Sequence, residues 1–401
     1  MLTYDEALQI VQETVEPLPL ITVPLAAASG RVLGDVIISD RNLPPSDNSA
    51  MDGYAFAMTE SLAGKSLAII DFIAAGHLRE LPVPAGNAVK IMTGAPLPTG
   101  CDTVIPIEDV EVVDGSIQIQ SDPVRGENVR YCGEELRCGE VVLAAGTPLF
   151  AGEIGLLAAA GVEMVRVHPA PRVAILSTGD ELVELGDAQK KEMIVNSNAY
   201  LLATRLREEG CDATILGIAR DTPGELEAAL KGGLHADLLL TTGGVSVGDC
   251  DHVQEALGNL GFIRKFWKVA IKPGKPVLFG TINGMPVFGL PGNPAATAAT
   301  FELFVRPALR RLAGFTSTQF PRLRVTLTEA LKGGDKRQRF LWGRLEIHHG
   351  AFCFAPAHHQ GSGQNRSLQG AQALLPMPAQ SPDLSAGSDV EILLLRMPPG
   401  V

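Results

Sequence analysis

RVAILSTGDE, residues 172–181, opens as an apolar run and stops at a glycine between Thr178 and Asp180. A short apolar run that ends in a turn reads as a buried strand. The next residues repeat the unit: NAYLLATRLREEG as a helix, ATILGIARD as a strand, GELEAALKGG as a helix, DLLLTTGG as a third strand and DHVQEALGNL as a third helix. FWKVAI, VLFGTI and MPVFGL then precede one long final helix. Apolar strands separated by amphipathic helices across 172–316 predict a mostly parallel sheet covered on both faces. Ligands of such sheets sit beyond the carboxyl ends of the strands. LPGNP announces the final helix, with Asn293 as its N-cap and Pro294 at the first helical position.

The flanking segments have a different texture. Over 41–138, short alternating runs such as AVKIMTG, DTVIPIEDVEVV and SIQIQSD, punctuated by glycine and proline, predict a small β domain. Residues 317–401 repeat that pattern in LRVTLTEAL, RFLWGRLEIH, AFCFAPA and VEILLLR, giving a second β module. Residues 139–171 read as strand, helix and strand and are expected to pair with 19–40. Together with the rest of 1–40 they make a small discontinuous linking domain. At the N-terminus, MLTYDEALQIVQETV reads as a helix opened by a capping box of Thr3 and Glu6.

A chain of 401 residues, 46% hydrophobic, is long enough for two to four compact units. A net charge of −12 argues against general binding to nucleic acid or an anionic membrane, because the long-range field repels polyanions. The N-terminus lacks the basic start and apolar block of a signal peptide. The most apolar stretch, 141–162, is interrupted by Pro148, Glu153 and several glycines, so no membrane span is expected. Six cysteines without a CxxC pair suit idle thiols in a reducing cytoplasm. The pairs His348-His349 and His358-His359 read as strand positions pointing to opposite faces, solvated and poorly suited to metal capture.

Several stretches fall at the ligand-bearing rim. Asp180 and Glu181 follow the first strand, where carboxylates meet a ligand or metal or simply cap a helix on a solvated loop. Arg220 and Asp221 end the second strand and should lie close by. TTGGVSVGDCD, 241–251, places Gly243 and Gly244 where backbone N–H groups can approach a phosphate. It also contains a G-x-S-x-G pattern around Ser246, the nucleophile elbow of serine hydrolases. That reading is weaker, since four residues separate the pattern from the helix and the only later histidine of the α/β unit is His252. KVAIKPGKP, 268–276, gathers Lys268, Lys272 and Lys275 beside two prolines in an acidic chain. Period-2 geometry puts Arg264, Lys268 and Lys272 on one face of an extended strand. A stiff basic loop at this rim reads as an anion seat, against a solvated basic edge. LAGKS, 62–66, lacks the first glycine of a Walker A loop, and no dinucleotide fingerprint follows a strand.

Taken together, PPSDNSAMDGYA, IMTGAPLPTGCD, STGDEL, TTGGVSVGDCD, FWKVAIKPGKP and GLPGNP, in this order and spacing, resemble the molybdopterin molybdenumtransferase (MoeA) family over essentially the whole chain. The resemblance implies an α/β plus β multidomain fold: a three-layer α/β molybdopterin-binding domain with a mostly parallel sheet, two smaller β-rich domains, the C-terminal one (317–401) barrel-like, and a small α/β linking domain. It further implies a cytoplasmic homodimer whose site is completed by the partner's small β domain, in transient contact with other enzymes of cofactor synthesis. The implied activity is hydrolysis of adenylylated molybdopterin, dependent on Mg²⁺ or another divalent cation, with release of AMP and insertion of molybdate into the dithiolene.

By motif match, the implied catalytic residues are Asp52, Thr93, Glu181, Asp221, Lys272 and Lys275. Arg130, Glu135, Gly243, Gly244, Ser246, Asp251 and Lys268 are implied to bind substrate, as are Pro291, Gly292, Asn293 and Ser362. Asp180, Glu181, Asp221, Asp249 and Asp251 are the implied oxygen donors to the cation. The chain departs from the family at Tyr131, Cys132, Gly133, Glu134 and Glu135, where R-R-G-E-D is common, and at Trp342, where an arginine is common. Those departures leave open a molybdopterin-binding paralogue or scaffold without turnover. A protein of the kind that shares only the α/β domain, such as the adenylylating partner enzyme, is the nearest mechanistic runner-up, and the two β modules and KVAIKPGKP favour the metal-inserting branch.

Overall fold

The computed structural model describes residues 1–59, 61–187, 192–244 and 252–398. The chain forms two compact units. The larger comprises Met1–Ile21, Gly30–Gly34 and Arg166–Val401, and the smaller Thr22–Ser29 and Asp35–Val165.

In the larger unit the alternation of apolar strands and helices folds into three layers. Among the described residues, the sheet runs in the order Asp212–Ala219, Arg172–Thr178, Leu238–Thr242, Met285–Leu290, Leu278–Ile282, Ile263–Trp267. The first four strands are parallel and the last two join as antiparallel neighbours. Strand alternation sorts the side chains. Val173, Ile175, Leu240 and Phe288 pack on the helices Tyr4–Thr14 and Ser197–Glu208 and on the final helical stretch, whereas Ala174, Leu176, Leu239 and Val287 pack on Pro223–Gly232 and His252–Asn259.

The capping box forms as expected: the Glu6 N–H donates to the Thr3 hydroxyl and the Thr3 N–H to the Glu6 carboxylate. The final helix is one continuous rod of three pieces, an α-helix Pro294–Thr300, a π-helical turn Phe301–Val305 and an α-helix Arg306–Leu312.

The extended run expected through Arg264, Lys268 and Lys272 does not form. The strand ends at Trp267, Lys268 takes φ +68, and Ile271–Lys272 pairs instead, in parallel, with Gln338 and Arg339 of the C-terminal module. A residue with φ > 0 cannot continue a strand, so the single basic face is lost. The C-terminal module is a closed barrel. Gln338–His348, Ala351–Pro356, Arg322–Leu327, Asp389–Leu394 and Ala373–Met377 pair in that order, and the last returns to the first. Leu341, Leu345, Phe354 and Ile392 fill it, while Phe340 and Trp342, on the alternate face, join the core beneath the sheet.

The smaller unit carries a six-stranded sheet in the order Thr103–Pro106, Gly53–Phe56, Asn87–Ile91, Ser66–Ile73, Ser116–Ile119, Val110–Val113. Tyr54, Phe56 and Ile117 face one core and Ala55, Val89 and Val104 the other. Ile37–Ile38 pairs antiparallel with Val141–Leu143, the contact expected between 19–40 and 139–170. No helix of the described residues is long and apolar enough to cross a membrane.

Candidate functional site

Beyond the carboxyl ends of the parallel strands lies a cleft of about 720 Å³. Thr178 and Glu181 reach it from the first strand, Thr242, Gly243 and Gly244 from the third, and Pro291, Gly292 and Asn293 from the turn before the final helix. Gly243 is at φ +95 and Gly244 at φ +63, and a β-carbon on Gly243 would run into the Thr178 carbonyl oxygen. Only glycine lets these two loops approach so closely.

Asn198, one residue inside the helix Ser197–Glu208, ties the loops together. Its amide nitrogen donates to Thr242 Oγ1 (2.9 Å) and the Gly292 carbonyl (2.8 Å). Asn196 accepts from Ser177 Oγ (2.8 Å), and both asparagines line the cleft. Sequence reasoning missed them. The signal was the polar run VNSN, of which only Asn198 falls in the expected helix NAYLLATRLREEG.

The first two strand ends bring their acids together. The Arg220 guanidinium donates to the Asp180 carbonyl (2.9 Å), and the Asp221 N–H to the Asp180 carboxylate (3.3 Å). Burial, and then the charges of Asp180 and Glu181, push the Asp221 carboxyl above the usual aspartate range. No group of three His, Cys, Asp or Glu side chains among the described residues is arranged to hold a metal ion. Asp249 and Asp251, and Ser246 of the elbow pattern, lie outside the described residues.

The basic residues are more dispersed than expected. Lys268 lays its ammonium 3.5 Å from the centre of the Trp267 ring. Lys272 donates to Asp335 of the barrel at 2.7 Å, which offsets its charge. Lys275 is exposed beside Pro276, and Pro276 lines the cleft.

Asn293 does occupy the N-cap position, but its side chain does not cap the helix. It donates to Ser362 Oγ (3.3 Å), and the Ser362 carbonyl accepts from the Ala295 N–H (3.0 Å). The helix that opens on the cleft is therefore closed by a residue of the barrel module. Trp342 is buried, and its backbone exchanges two hydrogen bonds with the Gln360 side chain, holding the loop that carries Ser362.

In the smaller unit, the turn-rich motifs converge. Ser49 sits between Ala95, which accepts its N–H, and Val129, with which it pairs. Asp52 accepts from both the N–H and the hydroxyl of Thr93 at 2.7 Å. Those bonds hold its carboxyl below the usual aspartate range. Arg130 is bound by Glu134 at 2.9 Å rather than by Glu135, whose N–H donates to the Leu43 carbonyl. Asp52 with Thr93 forms one local constellation, whereas Arg130 pairs with Glu134 and not with the expected Glu135.

Comparison with known proteins covers nearly the whole chain. A family described as MoeA N-terminal region (domain I and II) matches residues 2–161, one described as probable molybdopterin binding domain matches 174–311, and one described as MoeA C-terminal region (domain IV) matches 324–395. A molybdopterin molybdenumtransferase from Nostoc sp. (strain PCC 7120) is 38% identical over 384 residues, covering 93% of this chain and 88% of the relative. Molybdopterin molybdenumtransferase 2 of Mycobacterium tuberculosis is 33% identical over 407 residues, covering 98% and 99%. The crystal structure of a molybdopterin biosynthesis MoeA protein from Pyrococcus horikosii matches with a TM-score of 0.84 at 30% identity, covering 99% of this chain and 100% of that one. With three consecutive family regions on one chain and relatives matched almost end to end, the chain belongs to the MoeA family of molybdopterin molybdenumtransferases, a family of molybdenum cofactor biosynthesis.

Proposed function

We propose that the protein is the molybdenum insertase of this pathway: it hydrolyses adenylylated molybdopterin, releases AMP and places molybdate in the dithiolene. The observation that carries the reading is the cleft at the strand ends, which joins a two-glycine loop and an amide-lined wall, with Glu181 on its lining. Backbone N–H groups beside Gly243 and Gly244 suit phosphate oxygens, and Asn196 and Asn198 supply fixed amides along the wall. Lys268, Lys272 and Lys275 are the proposed oxyanion contacts, with Pro291, Gly292, Asn293 and Ser362 shaping the floor.

A divalent cation, Mg²⁺ in this reading, supplies charge neutralisation for phosphoryl oxygens. Mg²⁺ keeps several waters and is held by one or two carboxylates with substrate oxygens, so a pair of acids such as Glu181 and Asp221 fits it without a protein cage. Asp180, Asp249 and Asp251 are the further proposed donors. The reading also includes a cytoplasmic homodimer, with Asp52, Thr93, Arg130 and Glu135 completing the partner's site. It includes four domains: 1–40 with 139–171, 41–138, 172–316 and 317–401.

A second reading, a molybdopterin-binding paralogue or scaffold, is favoured by the ion pairs of Lys272 with Asp335 and of Arg130 with Glu134, which leave less positive charge for an anion. The test is AMP release from adenylylated molybdopterin with Mg²⁺, with and without molybdate. Release that needs both and yields active cofactor is expected. Tight binding without release would replace the insertase by the scaffold, and labelling of Ser246 by a fluorophosphonate would replace both by a hydrolase.

A further inference from the structure

The barrel loop that carries Ser362 to the cleft has a second cavity on it, of about 480 Å³. Gly363 and Asn365 line the cleft, whereas Arg366 and Ser367, the next two residues, line this second cavity with Arg344, His358 and His359. His358 and His359 follow the strand that ends at Pro356. They do not point to opposite faces of a strand, as the sequence suggested, but border one space.

No Asp or Glu lines this cavity, and none of the four basic side chains has a carboxylate or hydrogen-bond partner among the described residues. Elsewhere in this acidic chain Arg172, Arg205, Arg306 and Arg322 each meet an acid. All four basic side chains are exposed. Arg344 lies on the strand face of Phe340 and Trp342, and its stem runs beside Gly370, where an added β-carbon would come within 3.2 Å of Arg344 Cδ. Arg366 stands on the single turn Asn365–Leu368, pinned by buried Ser367, whose hydroxyl donates to the Gln364 carbonyl at 2.7 Å.

We propose that Arg344, His358, His359 and Arg366 form a binding site for a tetrahedral oxyanion, separate from the cleft. Guanidinium forks present paired donors that match such an ion, and imidazole N–H groups add more. The same arginines disfavour a metal cation between the histidines. The inference rests on these side chains and not on the pterin reading.

Sulfate binding, measured by equilibrium dialysis, tests it. In a Lys268→Ala/Lys272→Ala/Lys275→Ala background, which removes the proposed lysine contacts of the cleft, sulfate binding should persist. Adding Arg344→Ala and Arg366→Ala should weaken it at least tenfold with thermal unfolding unchanged, and adding His358→Ala/His359→Ala instead should weaken it about threefold, since those donors are lost without loss of the guanidinium charge. Loss of binding in the lysine background alone, or equal affinity after the arginine changes, would overturn the site. Displacement of sulfate by molybdate but not AMP would assign it to a free oxyanion, and displacement by AMP to a phosphate ester. Displacement by neither would rule the assignment out.

Discussion

Thr93 and Asp52 stand 41 residues apart in sequence, yet two bonds of 2.7 Å join them. The side-chain bond is the larger cause of the lowered Asp52 value, with the backbone bond second. A carboxyl whose folded value lies below its unfolded value contributes stability above the unfolded value and loses it as pH falls through the folded one. Thr93→Val removes the hydroxyl and leaves the N–H. The Asp52 titration, followed by carboxyl NMR, should therefore move up toward the ordinary aspartate value without reaching it, and the acid-side loss of stability should become shallower. An unmoved titration would mean that the N–H alone sets the value. The sequence marked both residues, as members of turn-rich motifs, but only the fold supplied their bond. Asn196 and Asn198 went unmarked because a polar run before a helix is ordinary capping chemistry, and what singles them out is their contacts with Ser177, Thr242 and Gly292.

At the scale of elements, the π-helical turn Phe301–Val305 deserves comparison with the helices around it. It seats Glu302, only 3% exposed, against Arg205 of the helix Ser197–Glu208, with Oε1 2.7 Å from Arg205 Nε, and Arg306 lies on the other carboxylate oxygen. Removing one partner of a buried ion pair costs about 3–5 kcal/mol when the other charge is left alone, but here Arg205 keeps Glu208 and Glu209, and Arg306 keeps Glu209 at 2.8 Å. Glu302→Ala should accordingly lower stability by less than that, about 1–3 kcal/mol in urea unfolding, and a change under about 0.5 kcal/mol would show that the remaining acids satisfy both arginines. Strand alternation and helix spacing made the parallel sheet legible from residues 172–316 alone, because those signals are local. The break at Lys268 was not legible. It depends on pairing with Gln338 and Arg339 and on the ion pair with Asp335, more than sixty residues downstream. Asn293 misled for the same reason: its residue type suits a cap, and Ser362 took its side chain instead.

Over the whole molecule, the contacts that complete the larger unit join distant parts of the chain. Tyr4, near the start, meets Phe304 at 5.7 Å between ring centres and Phe340 at 5.1 Å. Burial of this cluster pushes the Tyr4 hydroxyl up to about 12. Phe340→Ala should cost about 3–5 kcal/mol and should also raise amide exchange across Tyr4–Thr14, because the helix loses the ring it packs on. Exchange confined to the barrel would separate the two. Two β-rich segments were evident in the sequence, but a barrel for the C-terminal one followed only from the family resemblance, since closure requires Ala373–Met377 to return to Gln338–His348 by pairings no local pattern encodes. The Ser362 carbonyl that receives the Ala295 N–H carries a consequence for synthesis. During translation the sheet and its final helix emerge well before residue 362 does, so a nascent chain can own every strand of the cleft and still present an unfinished helix end. The helix end on the cleft would then be completed late, with about the last tenth of the chain.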